Sequence, residues 1–516
     1  MVSIASRARV RAGIVALRPT PLRRALVAAW LVGGLAALPA SAATIAVTTP
    51  DDGDAAATGT CTLRQAILSM NAAAPTGSCA TTGAAFGDDD TITFAASAIT
   101  GAATPGTIAL ADSADASGAA GGTLVVTATR LRIDGSAWRG SGAHQYEGGV
   151  TIARPDGATH AFGILRDEAP AGAMLVLAGV TLGNGHAAAG LCNGRADGGG
   201  ICMAAADLTL VDSTVSSNTA ENFGGGIASS SGAVVLTRST LSSNAAYSGG
   251  GLHSQTGVVT ISASTISGNS SWPVGGGGGI RADGTLDVVD SMISLNAAKR
   301  GAGIQSYGIT TVTRSVVSTN QAYYDGGGIH APAGTVTLTS SSIVGNFARY
   351  EGAGAHVGGA LIATNCTIAG NSGYRAGAGI FVAAAATLQL DHATLSLNHS
   401  SLSGGGIGGS GSATIEQSIV SGNSAPDGSD IAAGVAWTGS GNLVSSASDA
   451  LGPLQDNGGP TPTMLPGAGS AAIDAIAAQD CTQPFDQRGF ARPQGAGCDI
   501  GAVEVVVDAI FADGFD

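Results

Sequence analysis

The segment "SSNTAENFGGGI", residues 216–227, is rebuilt along the chain as "SSNAAYSGGGL", "SGNSSWPVGGGGGI", "STNQAYYDGGGI" and "AGNSGYRAGAGI". Aligned on their asparagine, the copies place Asn218, Asn244, Asn269, Asn296, Asn320, Asn346, Asn371, Asn398 and Asn423 at spacings of 24 to 27 residues. Three residues before each Asn stands Val, Leu or Ile, and two before that a small residue, usually Ser. Side chains at i and i+2 share one face of a strand, so this is a strand ending at a corner.

Two more short strands fit each copy, one after the glycines ("GGGLHSQ") and one further on ("AVVLTRS", "TVTLTSS"). Three strands and three turns in about 25 residues describe one coil of a parallel β-helix. Helical repeats are excluded by the β-branched enrichment, and leucine-rich repeats by the missing Leu-x-x-Leu-x-Leu frame. The composition agrees: Gly is 81 of 516 residues, unfavourable inside helices but suited to tight turns. The fold expected is all-β, a single right-handed parallel β-helix, its hand following the usual crossover rule. Equivalent residues then stack ~4.8 Å apart, and the Asn column becomes a ladder of amides bonded along the axis.

A stacked solenoid exposes core and strand edges at its ends, and so needs caps. In "TCTLRQAILSMNAAA", Thr62 and Gln65 form a capping box, and Leu63, Ala66, Ile67 and Met70 share one helical face. This predicts an N-terminal helical plug. Six cysteines fall into local pairs: Cys61 with Cys79, Cys192 with Cys202, and Cys481 with Cys498. As disulfides each closes a short loop, worth roughly 3 kcal/mol, the last within a C-terminal cap. The seventh, Cys366, occupies the small-residue column held elsewhere by serines such as Ser341, and reads as a reduced, buried filler.

The chain opens with a basic stretch, an apolar run and Ala40-Ser41-Ala42, the pattern of an export signal over residues 1–42. Without that leader, which holds six Arg and no acid, 16 Lys+Arg face 36 Asp+Glu, a net charge of −20. So acidic a surface repels phosphate backbones and argues against nucleic acid as partner. No later stretch is apolar enough to span a bilayer.

Three stretches carry resemblances. "TCTLRQAI" after the acidic "TTPDDGDAAATG" is similar to the CSLREA-type segment of secreted bacterial β-helix proteins, with Thr for Ser and Gln for Glu. "GPLQDNGGPTPTMLPGAGSAAIDA" and "DQRGFARPQGAGCDIGAVE" closely resemble the choice-of-anchor Q domain. The repeats resemble those of polymorphic outer-membrane proteins, with Gly-Gly-Gly-Ile for Gly-Gly-Ala-Ile. The chain divides accordingly: signal, 1–42; CSLREA-like cap, 43–100; irregular first coils, 101–180; regular coils, 181–445; choice-of-anchor Q-like cap, 446–507; and a candidate sorting tail, 508–516, whose "IFADGFD" resembles endings of secreted Gram-negative proteins. These likenesses imply an exported protein, extracellular or on the outer-membrane surface of a Gram-negative bacterium.

No phosphate-binding loop and no H-E-x-x-H zinc motif is present, and nothing calls for a cofactor or metal. Chemistry must therefore be sought by position. Between Asn and the glycines, nearly every coil carries large residues: Phe223, Tyr247, Trp272, Arg300, Tyr324, Tyr350 and Tyr374. Stacked, they form a stripe of rings and charges suited to sugars, or a ladder of rings that only stiffens the corner. A second column, His253, Arg281, Gln305, His330 and His356, follows the glycines and is expected on a solvated strand face. There Arg281 or His330 would be the candidate proton-abstracting base of a polysaccharide lyase. The function expected is structural and adhesive with polysaccharide or another cell-surface ligand as partner; the alternative is a lyase or glycoside hydrolase of acidic polysaccharide.

Overall fold

The computed structural model describes residues 42–506 apart from 53–58, 84, 99–105, 113–121, 139–148, 159, 189, 191, 193 and 446–449. The candidate signal before Ala42 and the tail 508–516 lie outside the described residues, as does the side chain of Trp272. The chain forms a right-handed parallel β-helix of about 11 turns with very little helix.

Among the described residues, four long sheets run along the axis, with 15, 13, 9 and 11 strands. One coil illustrates them: Val234–Thr237 in sheet I, Thr240–Ser242 in sheet II, Ala245–Ser248 in sheet III and Leu252–Ser254 in sheet IV. Sheet III is one strand per coil more than the three expected. The segment after each Asn is short, yet its first amide bonds the Asn carbonyl of the preceding coil (Ala245 to Asn218, 2.8 Å), so pairing continues around the corner. Its inward residue is small in every coil (Ala246, Ala298, Ala322), which lets the backbone lie flat there.

Four connections link the strands of this coil to each other and to the next, and three of them carry a left-handed residue: Arg238 (φ 47°), Ser243 (φ 55°) and Gly249 (φ 66°). Between corners the alternation holds. Val234, Leu236, Leu241 and Leu252 are fully buried, each worth roughly 1.5–3 kcal/mol. One continuous core results, from Ile45 to Val435.

At the N-terminal end the helix Leu63–Ala72 begins at Thr62 with the predicted capping box, and Leu63, Ala66, Ile67 and Met70 enter the core. The helix also saturates an open sheet edge. Arg64 donates to the carbonyls of Gly122 and Thr123 at 2.9 and 3.0 Å, and Asn71 bonds Val125 O and Thr127 N at 2.8 and 2.9 Å. Leu124–Val126 is the terminal strand of sheet IV, so these side chains replace the missing coil. All three expected disulfides form.

The C-terminal residues 450–506 lie against the outward side of sheet II, from Ile419 back to Ser342. Gln487 is their central clamp. It accepts from Thr367 Oγ1 at 2.7 Å, and its amide reaches Ser342 Oγ at 2.9 Å and Thr461 Oγ1 at 2.8 Å. Asn365 donates to Phe485 O and Ala502 N donates to Thr394 Oγ1. Within the segment, buried Arg492 joins Glu504 at 3.0 Å and donates to the carbonyls of Asp499 and Gly501. Outward residues of sheet II are consequently buried from Ser342 on, whereas Thr240 and Thr265 remain half-buried. No helix of the described residues is long and apolar enough to cross a membrane.

Candidate functional site

The corner between sheets II and IV begins with the Asn ladder. Each Oδ1 accepts from the backbone and side-chain amides of the preceding Asn: Asn296 reaches Asn320 at 3.0 and 2.9 Å, and Asn320 reaches Asn346 at 3.0 Å by both. Each Nδ2 also bonds a carbonyl of the preceding coil, as Asn320 does with Ile293 O. The ladder starts at Gly185 N and ends on a carboxylate, Asp430, which takes both amides of Asn423 at 3.0 and 2.8 Å. A parallel serine ladder runs five residues earlier: Ser239 N to Ser264 Oγ, Ser264 N to Ser291 Oγ, Ser291 N to Ser315 Oγ, each 3.0 Å. Cys366 sits in that column, free and fully buried; burial pushes its thiol up to about 12.

The glycines follow from the same geometry. Gly224 has φ +62°, and a Cβ on Gly226 would come within 2.5 Å of Gly251 O and 3.0 Å of the Asn244 amide. Only glycine fits beside the ladder.

Three and four residues past each Asn, the large residues resolve into two columns rather than one stripe. The first holds Tyr247, Lys299, Tyr323, Arg349 and Tyr374, and the second holds Arg300, Tyr324, Tyr350 and Arg375. Cations lie over the rings of neighbouring coils: Arg349 over Tyr323 at 5.0 Å, Arg375 over Tyr350 at 4.6 Å, and Lys299 and Arg300 over Tyr324 at 4.9 and 5.2 Å. Arg349 also donates to the Tyr323 hydroxyl at 2.7 Å. Tyr324 meets Tyr350 edge-on at 5.2 Å, and Phe347 meets Tyr374 edge-on at 5.5 Å. Part of the stripe is thus self-packed.

The rest is open. Tyr323, Tyr247 and Tyr374 are 41%, 44% and 58% exposed. A groove of about 610 Å³ lies on sheet III between Ala297, Ala298, Gln321, Ala322, Tyr323, Phe347, Arg349 and Tyr374. Ala297 provides its gap, a small outward residue where the next coils place Gln321 and Phe347. Gln321, Phe347 and Arg349 escaped the sequence reading. Arg349 stands at the same offset from Asn346 as Tyr323 does from Asn320, so strict alignment on Asn would have found it.

The column after the glycines is not the solvated face expected. His253 and His330 are 7% and 6% exposed. Phe223 stacks on His253 at 4.6 Å, His330 meets His356 at 5.0 Å, and His356 stacks on Phe381 at 5.0 Å. Burial lowers the His253 pKa to about 4 and that of His330 to about 3, with the nearby Arg281 and the His356 and Arg300 charges adding in turn. His330 is therefore a neutral, weakly basic imidazole inside a ring stack. Arg281 pairs with Asp283 at 3.1 Å, bonds Ser248 Oγ and lies over Tyr307. On this geometry neither is set to accept a proton from a substrate. Among the described residues, no group of three His, Cys, Asp or Glu side chains is placed to hold a metal ion. Set beside known protein families, curated proteins and solved structures, the chain matches none.

Proposed function

We propose that the protein is an exported β-helix of the cell surface or extracellular medium that binds glycan chains along its sheet III corner. The observation that carries this reading is the groove on sheet III, where half-exposed tyrosine rings flank an alanine floor with one amide and one guanidinium at hand. Apolar ring faces beside a few fixed polar groups suit sugar faces and hydroxyls. Three disulfides fit an oxidising location. The rigid solenoid supplies a long, repeating surface on which weak contacts add along a polymer.

The test is binding of the purified protein to a panel of neutral and acidic polysaccharides, with the supernatant assayed for shortened chains. Retention without shortening is the expected result. Shortened chains would move the lyase or hydrolase alternative to first place, and retention of none would leave the corner columns as packing alone.

A further inference from the structure

The arginines of this chain divide in a way that the fold alone does not require. Among the described residues, all but Arg154, Arg349 and Arg375 have a carboxylate within 4.0 Å. Arg154 is spent on two backbone carbonyls, those of Ala158 and His160. Arg349 and Arg375 are left, exposed on consecutive coils and both at the sheet III corner. In a chain with 36 acidic residues against 22 basic ones, two exposed guanidinium groups on consecutive coils without a counter-charge stand out.

The acids nearest in sequence are turned elsewhere. Asp325 is held by Arg300 at 3.1 Å and accepts from Glu351 N, while Glu351 faces His356 at 3.6 Å. Lys299, over Tyr324 two coils before Arg349, is a third cation at this corner without a carboxylate partner among the described residues. Each of the two arginines lies over a tyrosine ring; Arg349 spends one N–H on the Tyr323 hydroxyl at 2.7 Å, and its other donors and those of Arg375 meet no acceptor among the described residues. That is the arrangement in which an arginine takes a planar anion by two parallel hydrogen bonds at small entropic cost.

We propose that Arg349 and Arg375, with Lys299, form an anion subsite beside the sheet III groove, and that its ligand is a linear polysaccharide bearing carboxylates, the uronate class. The inference rests on the glycan-binding reading and narrows it. Successive coils rise by ~4.8 Å, about the length of one pyranose unit, so a chain laid along the axis meets one coil per sugar. Its rings cross Phe347 and Tyr374, and its carboxylates fall to the arginines. The dense charge of a nucleic acid would meet the acidic remainder of the surface. A polyuronate, with one charge per ~4.8 Å against one per ~1.7 Å for a nucleic-acid duplex, meets less of that repulsion.

The experiment uses two forms of one backbone, polygalacturonate and its methyl-esterified derivative, with poly-glutamate as a polyanion lacking sugar. The expected result is that the purified protein binds polygalacturonate and not poly-glutamate, with the esterified form weaker by about tenfold or more, the typical worth of a charge-assisted pair. The double variant Arg349→Gln/Arg375→Gln should lose that preference at an unchanged melting temperature. Equal binding of both pectin forms would overturn the anion subsite while leaving glycan binding intact. Equal binding of poly-glutamate would overturn the sugar class. Full retention of the preference in the double variant would place the anion site elsewhere. Binding to neither pectin form nor to any other polysaccharide would overturn the glycan reading itself.

Discussion

Two outward side-chain columns climb the same solenoid, one past the glycines on sheet IV and one past the asparagines on sheet III, and they are finished differently. On sheet IV the rings close on each other: Phe223 on His253, His330 on His356, His356 on Phe381, with the buried imidazoles held neutral. On sheet III the packing stops short. Tyr374 keeps 58% of its surface exposed, and Arg349 and Arg375 meet no carboxylate among the described residues. A column that serves stability hides its polar atoms and fills its gaps. A column that leaves rings and charges unspent is available to something else.

The comparison has an internal standard in the Asn ladder, where the largest effect is expected. Asn320→Ala strands both amides of Asn296 and the Ile293 carbonyl inside the helix, and should cost on the order of 3 kcal/mol by urea denaturation. A cost below about 1 kcal/mol would mean that water replaces the amide and that the ladder is decorative.

Next comes the closed column. Phe223→Ala removes a ring sandwiched between His253 and Arg195 and should cost about 2 kcal/mol, within the usual range for a partly buried aromatic. Opened to water, the His253 pKa should climb from about 4 towards 6.5, readable by NMR titration. No movement would place its burial in other neighbours.

The sheet IV column also has a pH signature. His330 titrates near 3 in the folded chain and at 6.5 when unfolded, so the unfolded state holds more protons between these values. Its contribution to stability is intact above pH 6.5 and falls by about 1.4 kcal/mol per pH unit below it. Asp167 and Asp499, raised by burial to about 6, act oppositely, since the folded state takes up their protons first as pH falls. The measurement that isolates the histidine is thus a difference: His330→Gln should lose less stability than the parent between pH 6.5 and 4. Identical slopes would contradict the buried neutral imidazole. The smallest stability change is expected on sheet III, where Tyr374→Ala should stay within about 0.5 kcal/mol, as exposed substitutions do.

How much of this could be read from the sequence follows the dimension of each feature. The Asn ladder, the inward Ile and Val columns, the capped helix at Thr62 and the three disulfides are patterns along one line, and the period makes them legible. The missed strand of sheet III is only two to four residues in most coils and small-sided, too short to signal alternation. Gln487 could not be foreseen as a clamp, because its partners Ser342 and Thr367 lie more than a hundred residues away. The sheet IV column was misjudged because alternation tells which side a residue faces, but not whether neighbouring rings then cover it. Arg349 was overlooked for a different reason. It directly precedes Tyr350, and one large residue per coil leaves no place for the other column, to which Arg349 belongs.

On the proposed function the sheet III corner is a binding surface and not a brace. The measurement that tests it most directly is a paired one on Tyr323→Ala/Tyr374→Ala: retention on the polysaccharide that the parent protein binds, and thermal unfolding of the same sample. Loss of retention with a melting temperature close to the parent's is the predicted result. A large drop in melting temperature with retention unchanged would contradict it and return these rings to the scaffold.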